Sequence, residues 1–257
     1  MKLTTVRSLL TALAIGMIVL SLGGVALADP PAAPKVSEFA SAADLEGQVG
    51  EYIERLEKSI DSEEEYGESS EKLAKDANTL TVIALALGLH DKDNKYKAAA
   101  PAMIKTTQEL VKVKDFDSAK KGVAAVKAAA ASSEGGADKL EWKKNYSLGK
   151  MMKQVPLINT KLKRYVKGKR FKSKADDTAG YAAVLAVIGQ ASLVDTHMVK
   201  NPDDVEKWYK FCAEMRDTAA AINAAIRAGD KDAADAAMEK FGEGCETCHA
   251  VFHKEEK

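Results

Sequence analysis

The feature that most constrains this chain lies in residues 203–228. There Val205, Trp208, Cys212, Met215, Ala219, Ile222 and Ile226 recur at alternating spacings of three and four. That rhythm lays one apolar stripe along an α-helix and does not fit the period-two alternation of a half-buried strand. A seam so regular needs other helices to cover it. Asn201-Pro202-Asp203 opens the helix and Gly229-Asp230 stops it. The next segment continues the pattern through Ala234, Met238, Phe241, Cys245, Cys248 and Phe252. Upstream, residues 146–166 and 177–191 read as two further helices, the second with Tyr181, Val184, Leu185 and Ile188 as its apolar positions. Short connections between four such segments predict a four-helix bundle.

The preceding hundred residues repeat this layout. Leu80 to Gly88 parallels Tyr181 to Gly189, Gln48-Val49 through Leu56 parallels Gln154-Val155 through Leu162, and Asp117-Ser118-Ala119 parallels Asp232-Ala233-Ala234. The expectation is an all-α chain of two tandem four-helix bundles, divided near Ser132-Ser133-Glu134-Gly135-Gly136. The predicted limits are a signal peptide at 1–28, a Pro-rich linker at 29–41, a first bundle at 42–136 and a second at 137–257.

Cys245-Glu246-Thr247-Cys248-His249 is a C-x-x-C-H sequence, the pattern of c-type haem attachment. Positions i, i+3 and i+4 share one helix face. Two thiols so spaced can each close a thioether on one porphyrin, and the adjacent imidazole can reach its iron from the same side. The pattern predicts one covalent haem c, tethered by Cys245 and Cys248 with His249 as proximal ligand. Because the cysteines continue a core stripe, the haem is expected inside the bundle. At the matching place in the first half stand Ala130-Ala131-Ser132-Ser133-Glu134, so that half is read as a haem-less repeat.

The N-terminus supports this chemistry. Lys2 and Arg7 precede an apolar stretch from Leu9 to Leu22, and Ala26-Leu27-Ala28 offers a cleavage site before Asp29. That is the order of a secretory signal. No other segment reads as a membrane span. The expected location is the periplasm, after cleavage behind Ala28. The chain carries 38 basic and 38 acidic residues. Removing the signal takes two basic residues and leaves a net of −2, which argues against nucleic-acid binding. Two of the three cysteines belong to the motif, so Cys212 is expected to be a buried small hydrophobe rather than part of a disulfide framework.

On these residues the second half resembles the cytochrome c′ and low-spin cytochrome c556 family. The four helices, the Gly-Asp turn before the last and the terminal C-x-x-C-H-x-x-aromatic ending at Phe252 carry the resemblance, over about residues 145–253. Where the family pattern places an arginine after that aromatic, this chain has His253. The resemblance implies that the residue on the first helix of the bundle decides between two functions. An apolar residue leaves iron five-coordinate and open to small gases, whereas a methionine closes it as a six-coordinate electron carrier. Met151-Met152-Lys153 resembles the Met-Lys of the low-spin members. Distance from Gly168 favours Met152 as distal ligand; heptad phase from Leu148, Val155 and Leu162 favours Met151. Leu45 and Glu46 stand at the matching positions of the first half.

The expected function is therefore single-electron transfer through a His/Met haem, without enzymatic activity. The alternatives are a five-coordinate protein that binds nitric oxide or carbon monoxide, and a zinc site made by Cys245, Cys248, His249 and His253. His197 and Met198 are weaker haem-facing candidates, and His90 reads as a cation at a helix C-terminus. Lys161, Lys163, Arg164, Lys167, Lys169, Arg170, Lys172 and Lys174 crowd one segment, a candidate docking surface for an acidic redox partner. The corresponding place in the first half carries Asp61, Glu63, Glu64, Glu65 and Glu68. The resemblance also implies pairing through the first two helices, here expected between the two halves of one chain.

Overall fold

Hydrophobic period and capping chemistry together set the helix limits. In the computed structural model, which describes residues 29–133 and 139–253, eight α-helices follow one another and no strand occurs among the described residues. The predicted signal at 1–28 and most of the predicted boundary near Gly135 lie outside the described residues. The helices are α1 Ala42–Lys58, α2 Glu63–Leu89, α3 Ala100–Leu110, α4 Phe116–Ala131, α5 Leu148–Val166, α6 Ala175–Ser192, α7 Val205–Arg227 and α8 Lys231–Phe252. Ser41, Ser62, Asp115, Ser147 and Asp230 cap α1, α2, α4, α5 and α8, each accepting the backbone N–H three residues on. Such caps satisfy donors that the first turn leaves unpaired.

The helices α1 to α4 pack on one another in a closed ring, and so do α5 to α8. The two groups meet through α1 on α6, α2 on α5 and α2 on α6. That reciprocal pairing of first helix with second is the pattern of an interface between two like units. The central helices explain the sequence parallel between them. Residues 76–87 of α2 and 178–192 of α6 are buried all round, as a helix without a solvent face must be. Gly189 lets α6 approach α7 closely, because a Cβ there would stand 2.6 Å from the Arg216 backbone nitrogen.

Polar contacts at the junction are buried and specific. Asp76 is fully buried and accepts from the Arg55 guanidinium and, at 2.7 Å, from Gln154 Nε2. Burial pushes the Asp76 carboxyl above its usual range, although Arg55 pulls it down. Gln154 also reaches the Tyr52 hydroxyl at 3.2 Å, and burial raises that phenol to about 12. Asn78 closes a two-way clasp on Ser147, donating to its carbonyl and accepting its N–H at 2.7 Å. The removal of charge from water at Asp76 is tolerated because its oxygens are bonded from both halves.

The Pro-rich run at 30–34 has no regular structure and leads into a turn that closes onto the core, where Val36, Phe39 and Ala40 are buried. His90, expected as a cation at the end of α2, is instead buried, where its Nδ1 accepts from the Lys92 N–H and its Nε2 donates to the Ala40 carbonyl.

Candidate functional site

The C-x-x-C-H residues all lie within α8, in its last two turns. The stripe beneath them, Ala234, Met238, Phe241 and Phe252, is buried, Cys245 and Cys248 are half-buried, and His249 is exposed. The motif thus runs along the border between core and solvent. Trp208 and Phe211 of α7 meet the Phe252 ring edge-on at centroid distances of 5.2 and 6.2 Å. One turn further along these antiparallel helices, Cys212 comes level with Cys248. Cys212 is buried, as expected from its place in the stripe.

Burial pushes the Cys248 thiol up to about 11, with a smaller push from Cys245. Cys245 is raised by burial and then by Glu246, and Cys212 by burial and then by Cys248. The three are neutral thiols near neutral pH. Burial, and then His253, lowers the His249 pKa, so its imidazole is neutral and keeps a lone pair for a metal. His249 and His253 lie one turn apart with centroids 5.5 Å apart. Among the described residues no group of three or more His, Cys, Asp or Glu side chains converges as a metal cage. The four-ligand zinc arrangement therefore has no preformed counterpart here.

The opposing helix is α5. Lys167 pairs with Asp235 at 3.3 Å, and Lys231 reaches the Lys167 carbonyl, which sets the end of α5 beside the start of α8. Counting back from that contact along both antiparallel helices brings Met151 and Met152 level with His249. Helical phase then separates them. With about 100° per residue, Met152 lies roughly 60° around α5 from Lys167, whereas Met151 lies roughly 160° away. Met151 is fully buried and shares its face with Gln154 and Ile158, and Gln154 points into the first half. Met152 is half-buried and packed against the core. The phase favours Met152 as the residue turned toward α8.

A haem can be tested against this arrangement. Gly244 lies one turn before Cys248 and Gly242 two turns before His249, and a Cβ on either would meet nothing within 4 Å, as at Gly47, Gly50 and Gly67 of the first half. Two thiols, a neutral imidazole and a half-buried thioether on the facing helix are a donor set that fits a covalent porphyrin. Two cavities elsewhere among the described residues do not touch the motif. One, of about 830 Å³, lies between α1 and the start of α6 and is lined by Gln48, Glu51, Tyr165 and Tyr181 among others. The other lies beside Trp142, Leu193 and Tyr209.

Other candidates sit elsewhere. His197 is held by Asp195, Nδ1 to Oδ1 at 2.7 Å, and Asp195 also accepts from Lys144 at 2.8 Å. The basic segment lies at the opposite end of α5 to α8 from the motif. From Asp235 to His249 the axial rise is roughly 20 Å, so a partner docked at Lys167 would not lie against the motif. Lys161, Lys167 and Lys174 are engaged internally with Glu51, Asp235 and Asp177. No family model matches the chain, and no curated protein or solved structure matches it either.

Proposed function

We propose that this chain is a periplasmic c-type cytochrome built as two tandem four-helix bundles, of which the second carries one covalent haem and the first none. The observation that carries this reading is that Cys245, Cys248 and His249 share the border stripe of α8; helical counting from the Lys167–Asp235 pair, which brings Met152 of α5 level with them, supports it. When bound, the haem supplies reversible one-electron redox chemistry and the protein supplies its ligands and surroundings. Cys245 and Cys248 would hold the haem covalently through thioethers. His249 would offer a neutral nitrogen and Met152 a soft sulfur, which favours the reduced metal. The Trp208 and Phe252 rings pack edge-on beside the motif.

The pairing of α1 and α2 with α5 and α6 supports the reading of the first half as a built-in partner unit. Redox partners would approach the end formed by the last turns of α8 and the first turns of α5, where the path to the motif is shortest. The test is the visible spectrum of protein made in a host competent for cytochrome maturation. A haem-staining band that survives denaturing electrophoresis, with a low-spin oxidised spectrum, is expected. Colourless protein would end the haem reading. Coloured protein that is high-spin and binds carbon monoxide on reduction would replace electron transfer with gas binding.

A further inference from the structure

Each half joins its first helix to its second by a strongly charged connection, and the two connections carry opposite signs. In the first half Asp61, Glu63, Glu64 and Glu68 are exposed around the start of α2. In the second, Lys163, Arg164, Lys167, Lys169, Arg170 and Lys172 are exposed around the end of α5 and the turn to α6. Part of each cluster serves its own helix, since acids suit a first turn and bases a last turn. Asp61, Lys169, Arg170 and Lys172 lie outside the helices, and Glu68 lies beyond the first turn of α2, so the dipole does not account for them. Nor do the clusters neutralise each other within the molecule. The ion pairs of the basic segment go to Glu51, Asp235 and Asp177. Arg170 is held over the Tyr165 ring at 5.4 Å, which fixes one guanidinium at the surface.

We infer that the basic α5–α6 connection of one molecule docks on the acidic start of α2 of a second copy of this chain. The complement it needs is displayed at the equivalent position of the same protein. The whole chain has a formal charge of zero, and −2 once Lys2 and Arg7 are removed with the signal, so little net repulsion keeps copies apart. Because the two surfaces differ, the contact is head-to-tail and each pair keeps one free surface of each sign, one on either molecule. The contact lies far from Cys245, Cys248 and His249, and it stands whether or not they carry haem.

Sedimentation velocity on the purified protein tests it. At about 20 mM NaCl the Debye length is roughly 20 Å, and at about 300 mM roughly 6 Å. Association should weaken at least about tenfold across that change. The triple variant Lys163→Glu, Lys169→Glu, Lys172→Glu should stay monomeric at low salt, as should Asp61→Lys, Glu64→Lys, Glu68→Lys. An equimolar mixture of the two should associate again, with circular dichroism confirming that each is folded. A wild-type protein monomeric at low salt would overturn the inference. So would association indifferent to salt, variants that still self-associate, or folded variants that fail to associate when mixed.

Discussion

The helices α4 and α8 begin alike and end differently. Asp115 and Asp230 cap them in the same way, and Ala119, Val123 and Val126 are buried at the places of Ala234, Met238 and Phe241. From equivalent starts, α4 stops at Ala131 whereas α8 runs six residues further than that end, through Cys248, His249 and Phe252. The facing helices differ at the same level. Leu45 of α1 is fully buried, and Glu46 accepts the Lys95 N–H at 2.8 Å, where α5 has Met151 and Met152. The two groups of four helices thus share one contact order, and the C-x-x-C-H residues occur in the second group only.

The largest expected effect attacks that difference directly. Cys245→Ser with Cys248→Ser should abolish covalent colour on a denaturing gel while leaving the helical content of the protein in place. If the doubly substituted protein still stained for haem, α8 and α4 would not differ in the way proposed. A second break targets the contact between the halves. Asp76→Ala removes the carboxylate that Arg55 and Gln154 share, and losing one partner of a buried charge pair costs about 3 kcal/mol. Chemical denaturation should show that loss. A shift below about 0.5 kcal/mol would mean that the junction is not stabilised as its geometry indicates.

The methionines sharpen the comparison. Met152→Leu should convert a low-spin spectrum to high-spin and open the reduced protein to carbon monoxide. Met151→Leu keeps volume in a dry position and should cost less than about 1.5 kcal/mol with no spectral change. The reverse result would assign Met151 to α8's side of α5 and refute the phase argument.

Much of this architecture is legible from pattern. The seven-residue stripe of α7 and the Gly229 stop, with its positive φ of 72°, stand where the sequence puts them. The contact between halves is harder to read. Gln154, Asp76 and Asn78 look like surface positions in an amphipathic pattern, and only their partners across the junction make them interior. His90 misleads because a helix C-terminus suggests a cation, whereas the incoming chain at Ala40 covers it. The place of the basic segment is derivable. In an up-and-down order the end of α5 and the end of α8 must lie apart, which sequence proximity alone conceals.

The smallest expected effect concerns how each half secures the segment that leads into it. In the second half the Tyr146 hydroxyl, ahead of α5, donates to the Ala191 carbonyl near the end of α6 at 2.8 Å. Burial raises that phenol far above its ordinary range, so the latch does not titrate at moderate pH. In the first half Ser37, ahead of α1, donates through its hydroxyl and its N–H to Asp91 just after α2, at 2.6 and 2.9 Å. Those hydrogen bonds hold the Asp91 carboxyl down to about 2, from an ordinary 3.8. A depressed acid contributes stability that is complete above the unfolded value and fades as pH falls through the folded one. The first latch should therefore loosen between about pH 4 and pH 2 while the second holds. Amide exchange near Ser37 should speed up in that window and exchange near Tyr146 should not. Equal acceleration at both sites would show that the same chemistry holds both leading segments after all.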